Sequence, residues 1–192
     1  IVLASKSGVR KEILKKNKID CDVEPSNVDE DEVKAAMLNE NATPTLISKN
    51  LAELKANKVS NKNPDRIVLG ADSVIDFEGE LISKPKSRQE ALETLMRLNG
   101  KKHQLISSVC ISKNGAMIWN YTDTSSLTMK ELNLDQIRSY LKKVDDKKLY
   151  AYGVYQIESG GKDLFLKIDG EEDSIMGLPI KKIKEYLNNL KW

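Results

Sequence analysis

Ile1-Val-Leu-Ala4 is a short unbroken apolar run, and Ser5-Lys-Ser7-Gly8 follows it as a tight polar turn. An apolar run of this kind reads as a strand buried on both faces. Ser7 is a good N-cap, and Val9 and Ile13 then share one face of a helix expected to run to about Asn17. A strand feeding a helix through small residues aims free backbone N–H groups and the positive end of the helix dipole at one point, a ready-made anion site. Arg10, one turn into the helix, adds a planar fork of donors suited to phosphate oxygens. The plainer alternative is an ordinary turn with a solvated arginine, and this stretch alone leaves both open.

Further along, Cys21 to Pro25 reads as a second short strand and leads to an acidic turn, Asn27 to Glu32. Asp29 to Glu32 suits the N-terminus of a helix, and could also supply a carboxylate to a metal. Thr43-Pro44 is a strong helix start, with Ile47, Leu51 and Leu54 as its buried stripe. Lys55 lies four residues after Leu51, so its ammonium borders the core. Ser87-Arg-Gln-Glu90 is a capping box opening a helix with Leu92, Leu95, Met96 and Leu98, closed by Asn99-Gly100. Leu105 to Ile111 and Ala116 to Tyr121 flank Asn114-Gly115, the best short hairpin signal in the chain. Asn133 caps a helix with Leu134, Ile137, Leu141 and Val144 on one face. After the Tyr- and Gly-rich segment from Tyr150 to Gly161, Leu164 to Ile168 is a strand. Gly177-Leu-Pro179 starts a last helix with the stripe Ile180, Ile183, Leu187 and Leu190. Helices and strands alternate around one hairpin, so the expected fold is α/β with a mixed sheet. Without an internal repeat or linker, the 192 residues are expected to form one domain, 1–192.

Composition narrows the partners. Net charge is only +2 with both signs interspersed, which gives no strong case for a nucleic-acid or membrane partner. Lys181, Lys182, Lys184 and Lys191 read as the wet face of the terminal helix. Cys21 and Cys110 form no metal or redox spacing, and Cys110 reads as a small buried side chain. No apolar run approaches the ~18 residues of a membrane span, and no signal peptide is recognisable, so a cytoplasmic location is expected.

The most informative internal stretch is Ile67-Val-Leu-Gly-Ala-Asp72-Ser73-Val-Ile75. It reads as a central strand in which Gly70 and Ala71 remove bulk ahead of a carboxylate, as where backbone and ligand approach closely. An Asp inside an apolar run must be paired, hydrated or metal-bound. Lys84 precedes Pro85 and is forced out of the helical region, so its side chain projects from a fixed extended place. His103, the single histidine, begins a strand and reads as a hydrogen-bonded structural residue.

Taken in order, Ala4-Ser5-x-Ser7-x-x-Arg10, Asp29-Glu30, Lys55, Gly70-Ala71-Asp72, Lys84-Pro85, Gly100-x-x-His103, Gly153 to Glu158 and Gly177-Leu178-Pro179 resemble the Maf family of nucleoside triphosphate pyrophosphatases, also called septum-formation inhibitors. The resemblance spans essentially the whole chain. It implies a mixed twisted sheet flanked by helices around a deep cleft, an architecture similar to that of the inosine triphosphatases. It implies hydrolysis of a nucleoside triphosphate, including modified ones, to the monophosphate and pyrophosphate. A divalent cation (Mg²⁺, Mn²⁺ or Co²⁺) would assist, held by Glu30 and Asp72, with Asp72 as proton acceptor and Lys55 and Lys84 as further catalytic residues. Ser5, Ser7 and Arg10 would bind phosphate, and Val9, Ser73 and Glu158 would correspond to positions associated with substrate choice. The family is also associated with cell-division arrest, and its members are commonly homodimers.

Two features depart from the family pattern. Gly8-Val9-Arg10 stands where members usually have Pro-Arg-Arg, and a lost charge-assisted phosphate contact is worth roughly 1.5–3 kcal/mol. Glu158 resembles the branch acting on 7-methyl-GTP, where the dTTP/UTP branch has Gln, while Ser73 fits neither, so the base stays open. Rival readings are a non-catalytic nucleotide-binding regulator of septum formation and a member of the sister inosine triphosphatase group.

Overall fold

The computed structural model describes residues 1–190. Strand β1 (Val2–Leu3) is completely buried and runs parallel to β2 (Asp22–Val23) on one side and β3 (Val68–Phe77) on the other. Beyond β3 the sheet turns antiparallel through β5 (Lys102–Lys113), β6 (Ala116–Met129) and β7 (Phe165–Asp169). The short β4 (Glu80–Ile82) folds back on the end of β3 through Glu78-Gly79, both at positive φ. The sheet is therefore mixed, as the alternation of elements suggests, and Asn114-Gly115 forms the β5–β6 turn at the expected place.

One detail of pairing matters most. Val2 and Ala4 donate to the carbonyls of Ile67 and Leu69, and β4 pairs with the same strand only from Ile75 to Phe77. Between these two partners the edge of β3 is left open at Gly70 to Val74. Asp72 and Ser73 lie in that gap. Because side chains alternate along a strand, successive residues there face opposite layers. Val68, Gly70 and Val74 look toward α3 (Pro44–Ser60), while Leu69 and Ala71 look toward α1 (Gly8–Lys16) and α8 (Ile180–Asn189).

The remaining helices are α2 (Glu30–Asn39), packed beside α3; α4 (Arg88–Leu98), α5 (Leu134–Lys143) and α6 (Asp146–Tyr152), which close the far end; and α7 (Glu172–Ile175), set against β5. The helix caps follow the sequence: Ser7, Asp29, Thr43, Ser87 and Asn133 each accept a backbone N–H from the first turn.

Several expectations need correction. Leu54, Met96 and Leu134 are exposed, since each sits at the margin of its apolar stripe and its helix is covered on one side only. The Ser87 box is one-sided: Glu90 accepts from Lys86 N instead of from the cap residue. Gly70 serves helix packing and not a ligand, for a Cβ there would lie 2.3 Å from the Ala52 carbonyl oxygen and 2.7 Å from Ala56 N on α3. Helix α6 and strand β4 were not anticipated. Of the lysines assigned to the wet face of the last helix, Lys181, Lys182 and Lys184 are exposed, and Lys191 lies outside the described residues.

Candidate functional site

The gap beside β3 opens into a cavity of about 420 Å³. Its wall contains all ten residues singled out from the sequence: Ser5, Ser7, Val9, Arg10, Glu30, Lys55, Asp72, Ser73, Lys84 and Glu158. They come from the β1–α1 turn, α1, α2, α3, β3, the segment after β4 and the turn before β7.

Alternation on β3 sends Asp72 toward α3, where Lys55 meets it. Lys55 Nζ is 2.8 Å from Asp72 Oδ1 and 2.7 Å from Glu30 Oε1, so one buried ammonium joins two carboxylates. The same ammonium reaches the Ala71 carbonyl oxygen at 3.5 Å. Asp72 is 4% exposed, and its second oxygen, Oδ2, is buried with no hydrogen-bond partner among the described residues.

Burial raises the pKa of Glu30, but Lys55, followed by Lys84 and Lys34, more than offsets it and holds the carboxyl down at about 2, against an ordinary 4.5. The unfolded chain takes up that proton first, so this contribution to stability is complete above pH 4.5 and fades as pH falls toward 2. Glu30→Gln is accordingly expected to lower the melting temperature by a constant amount at neutral pH. That difference from the wild type should shrink through the acid range. A gap that stays constant down to pH 2 would contradict the pairing.

Ser73, on the other face of β3, meets Arg10. The guanidinium donates from Nε to the Gly177 carbonyl (2.9 Å), from Nη1 to Ser5 Oγ and the Ala71 carbonyl (3.1 Å each), and from Nη2 to Ser73 Oγ (3.2 Å). Four of the five N–H donors of an arginine are thus taken by the protein. Ala71 O is the next acceptor on the β3 edge after Leu69 O, and Arg10 serves it where β1 has ended. Arg10 thus ties α1, β3 and the segment before α8 together. Its burial pulls the guanidinium pKa down, with Asp72 and Glu30 pushing it back up. Gly177 is small for a reason, since a Cβ there would lie 3.3 Å from Arg10 Nε and 3.1 Å from Ser73 Oγ.

The chain of hydroxyls continues inward. Arg10 can only donate and a carbonyl can only accept. Ser107 Oγ donates to the Ser174 carbonyl at 2.7 Å, so the 3.2 Å Ser73–Ser107 contact has Ser73 as donor. Ser107 and Ser174 were not foreseen; a serine inside the apolar run from Leu105 to Ile111 was the available signal for Ser107.

A description of Maf-like proteins matches residues 1–190. The chain belongs to that family. Over 191 residues it is 68% identical to a nucleoside triphosphate pyrophosphatase of Pelagibacter ubique, covering 100% of this chain and 98% of that one. It is 37% identical to a 7-methyl-GTP pyrophosphatase of Brucella abortus over 191 residues, covering 100% and 96% of the two chains. Among solved structures, a HAM1 protein from Coxiella burnetii overlaps 98% of each chain at 11% identity with a TM-score of 0.47, too distant to carry any residue across.

In this Maf-like chain the remaining members of the cavity differ in how firmly they are held. Ser5 Oγ accepts from Ser7 N, and Ser7 Oγ from Arg10 N, which fixes the turn. The N–H groups of Gly8 and Val9, at the first helical positions, have no intrahelical acceptor. Lys84 sits exposed at the mouth; partial desolvation there lowers its pKa, Glu30 working against this and Lys34 and Arg10 adding to it. Glu158 is exposed on the rim. His103 lies away from the cavity wall, 2.8 Å from the Tyr155 hydroxyl, and burial lowers its pKa to about 4, consistent with a structural role. Lys34, also on the wall, was missed; its spacing of four from Glu30 on one helix face was the signal.

Proposed function

We propose that the cavity binds a nucleoside triphosphate and that water attacks its α-phosphorus, giving the monophosphate and pyrophosphate. The observation that carries this reading is the Glu30–Lys55–Asp72 cluster, with one Asp72 oxygen pinned and the other unpartnered. Lys55 holds Asp72 through Oδ1, which leaves Oδ2, without a partner among the described residues, for the proton of the attacking water. General-base assistance of this type is worth about 10²–10⁴-fold. The bond from the α-phosphorus to the bridging oxygen breaks, and pyrophosphate leaves.

A triphosphate brings about four negative charges, which Lys84 and the unpaired N–H groups at the start of α1 offset. Lys55 occupies the point where Glu30 Oε1 and Asp72 Oδ1 meet, and the oxygens it leaves, above all the unpartnered Asp72 Oδ2, are those that would hold a divalent cation of the Mg²⁺, Mn²⁺ or Co²⁺ type, since Mg²⁺ commonly takes one or two carboxylates plus substrate phosphates. Such an ion would supply charge neutralisation between those carboxylates and the phosphates. Val9, Ser73 and Glu158 are also on the cavity wall, and we assign them to the base and sugar.

The test is pyrophosphate release across UTP, dTTP, 7-methyl-GTP, pseudouridine triphosphate and ITP, with each metal. At least one of the first four is expected to be turned over with pyrophosphate as product. Release of orthophosphate instead would place the attack at the wrong phosphorus. A strong preference for ITP would favour the inosine triphosphatase reading, and binding of every nucleotide without turnover would favour the regulator.

A further inference from the structure

A tally of the cations on the cavity wall leads beyond the residues named so far. Arg10 spends four donors on protein acceptors, and Lys55 is held between Glu30, Asp72 and the Ala71 carbonyl. Most of their donors are therefore engaged by the protein. Lys6 and Lys84, both exposed on the wall, have no side-chain ion pair or hydrogen bond among the described residues. Lys34 is the unexpected member. Its side chain is only 12% exposed, yet the nearest carboxylate oxygen, Glu30 Oε2, is 3.8 Å away, beyond hydrogen-bond reach. The other Glu30 oxygen is already bound to Lys55. Its stem is packed down, and its ammonium reaches the cavity without a hydrogen-bond acceptor among the described residues, so it is free to meet an anion there. Lys34 and Lys84 both line this cavity, and while desolvation is the main cause of the lowered Lys84 pKa, the Lys34 charge lowers it further.

We propose that Lys34 is a substrate-binding residue that, with Lys84, holds the terminal phosphates of the triphosphate. This rests on the triphosphate reading given above and assigns the pyrophosphate end of the substrate to the α2 side of the cavity. Glu30 then has a second role, keeping Lys34 on that wall through the four-residue helical spacing. The Gly8-Val9-Arg10 turn has one arginine fewer than the resemblance implies, and Lys34 supplies a cation from a different element.

The experiment is calorimetric binding of inorganic triphosphate and, separately, of UMP, in magnesium-containing buffer. The proteins are the wild type, Lys34→Gln, Lys34→Arg and, as a control for general charge, the exposed Lys49→Gln. Lys34→Gln should weaken inorganic triphosphate binding about ten- to a hundredfold and leave UMP binding unchanged, while Lys34→Arg restores most of the loss and Lys49→Gln changes neither. Unaltered triphosphate affinity in Lys34→Gln, or equal weakening of UMP, would overturn the assignment while leaving wild-type pyrophosphate release intact. A wild type that binds no inorganic triphosphate and releases no pyrophosphate would overturn the triphosphate reading, and this assignment with it.

Discussion

Asp72→Asn is expected to reduce pyrophosphate release by about 10²–10⁴-fold while nucleotide still binds. Asn has nearly the shape of Asp, and its amide oxygen can still accept from Lys55, so the cluster keeps its geometry. What disappears is the capacity to take a proton from water. The useful measurement is therefore a pair, turnover and nucleotide affinity in the same protein. Turnover equal to the wild type would remove Asp72 from the chemistry; loss of both would assign it to binding.

Lys55→Met should be the most damaging single change to the molecule. It leaves Asp72 4% exposed and facing Glu30 with no cation between them. Removing one partner of a buried ion pair costs about 3–5 kcal/mol, and the partly exposed Glu30 favours the lower end. For a chain of this size, ~3 kcal/mol lowers the melting temperature by roughly 6–12 °C. An unchanged melting temperature would contradict the pairing, and activity should be absent in this variant.

The sequence was readable where a single local rule decides the outcome. Ser7, Thr43 and Asn133 cap helices because short polar side chains can reach first-turn N–H groups, and Asn114-Gly115 turns a hairpin because both residues tolerate positive φ. The ten cavity residues were found through an ordered set of motifs, not through any property of one position. Illegible were matters of pairing. Whether Arg10 offers its fork to a ligand or spends it on Gly177 and Ser73 depends on elements far apart in the chain. Gly70 was read as making room for a ligand, when the neighbour that needs the room is the backbone of α3. Lys34 resembles any helix-surface lysine until its 12% exposure is known. Stripe margins such as Leu54 and Met96 fail for the same reason, because periodicity gives a direction but not the breadth of the covering layer.

The bond from Arg10 to the Gly177 carbonyl spans 167 positions. During synthesis the Arg10 guanidinium leaves the ribosome well before the carbonyl that fixes it. A growing chain can assemble much of its sheet before Gly177 follows, but it cannot close this side of the pocket. A chain cut ahead of Gly177 would keep every charged residue of the Glu30–Lys55–Asp72 cluster and still lack the bond that fixes Arg10.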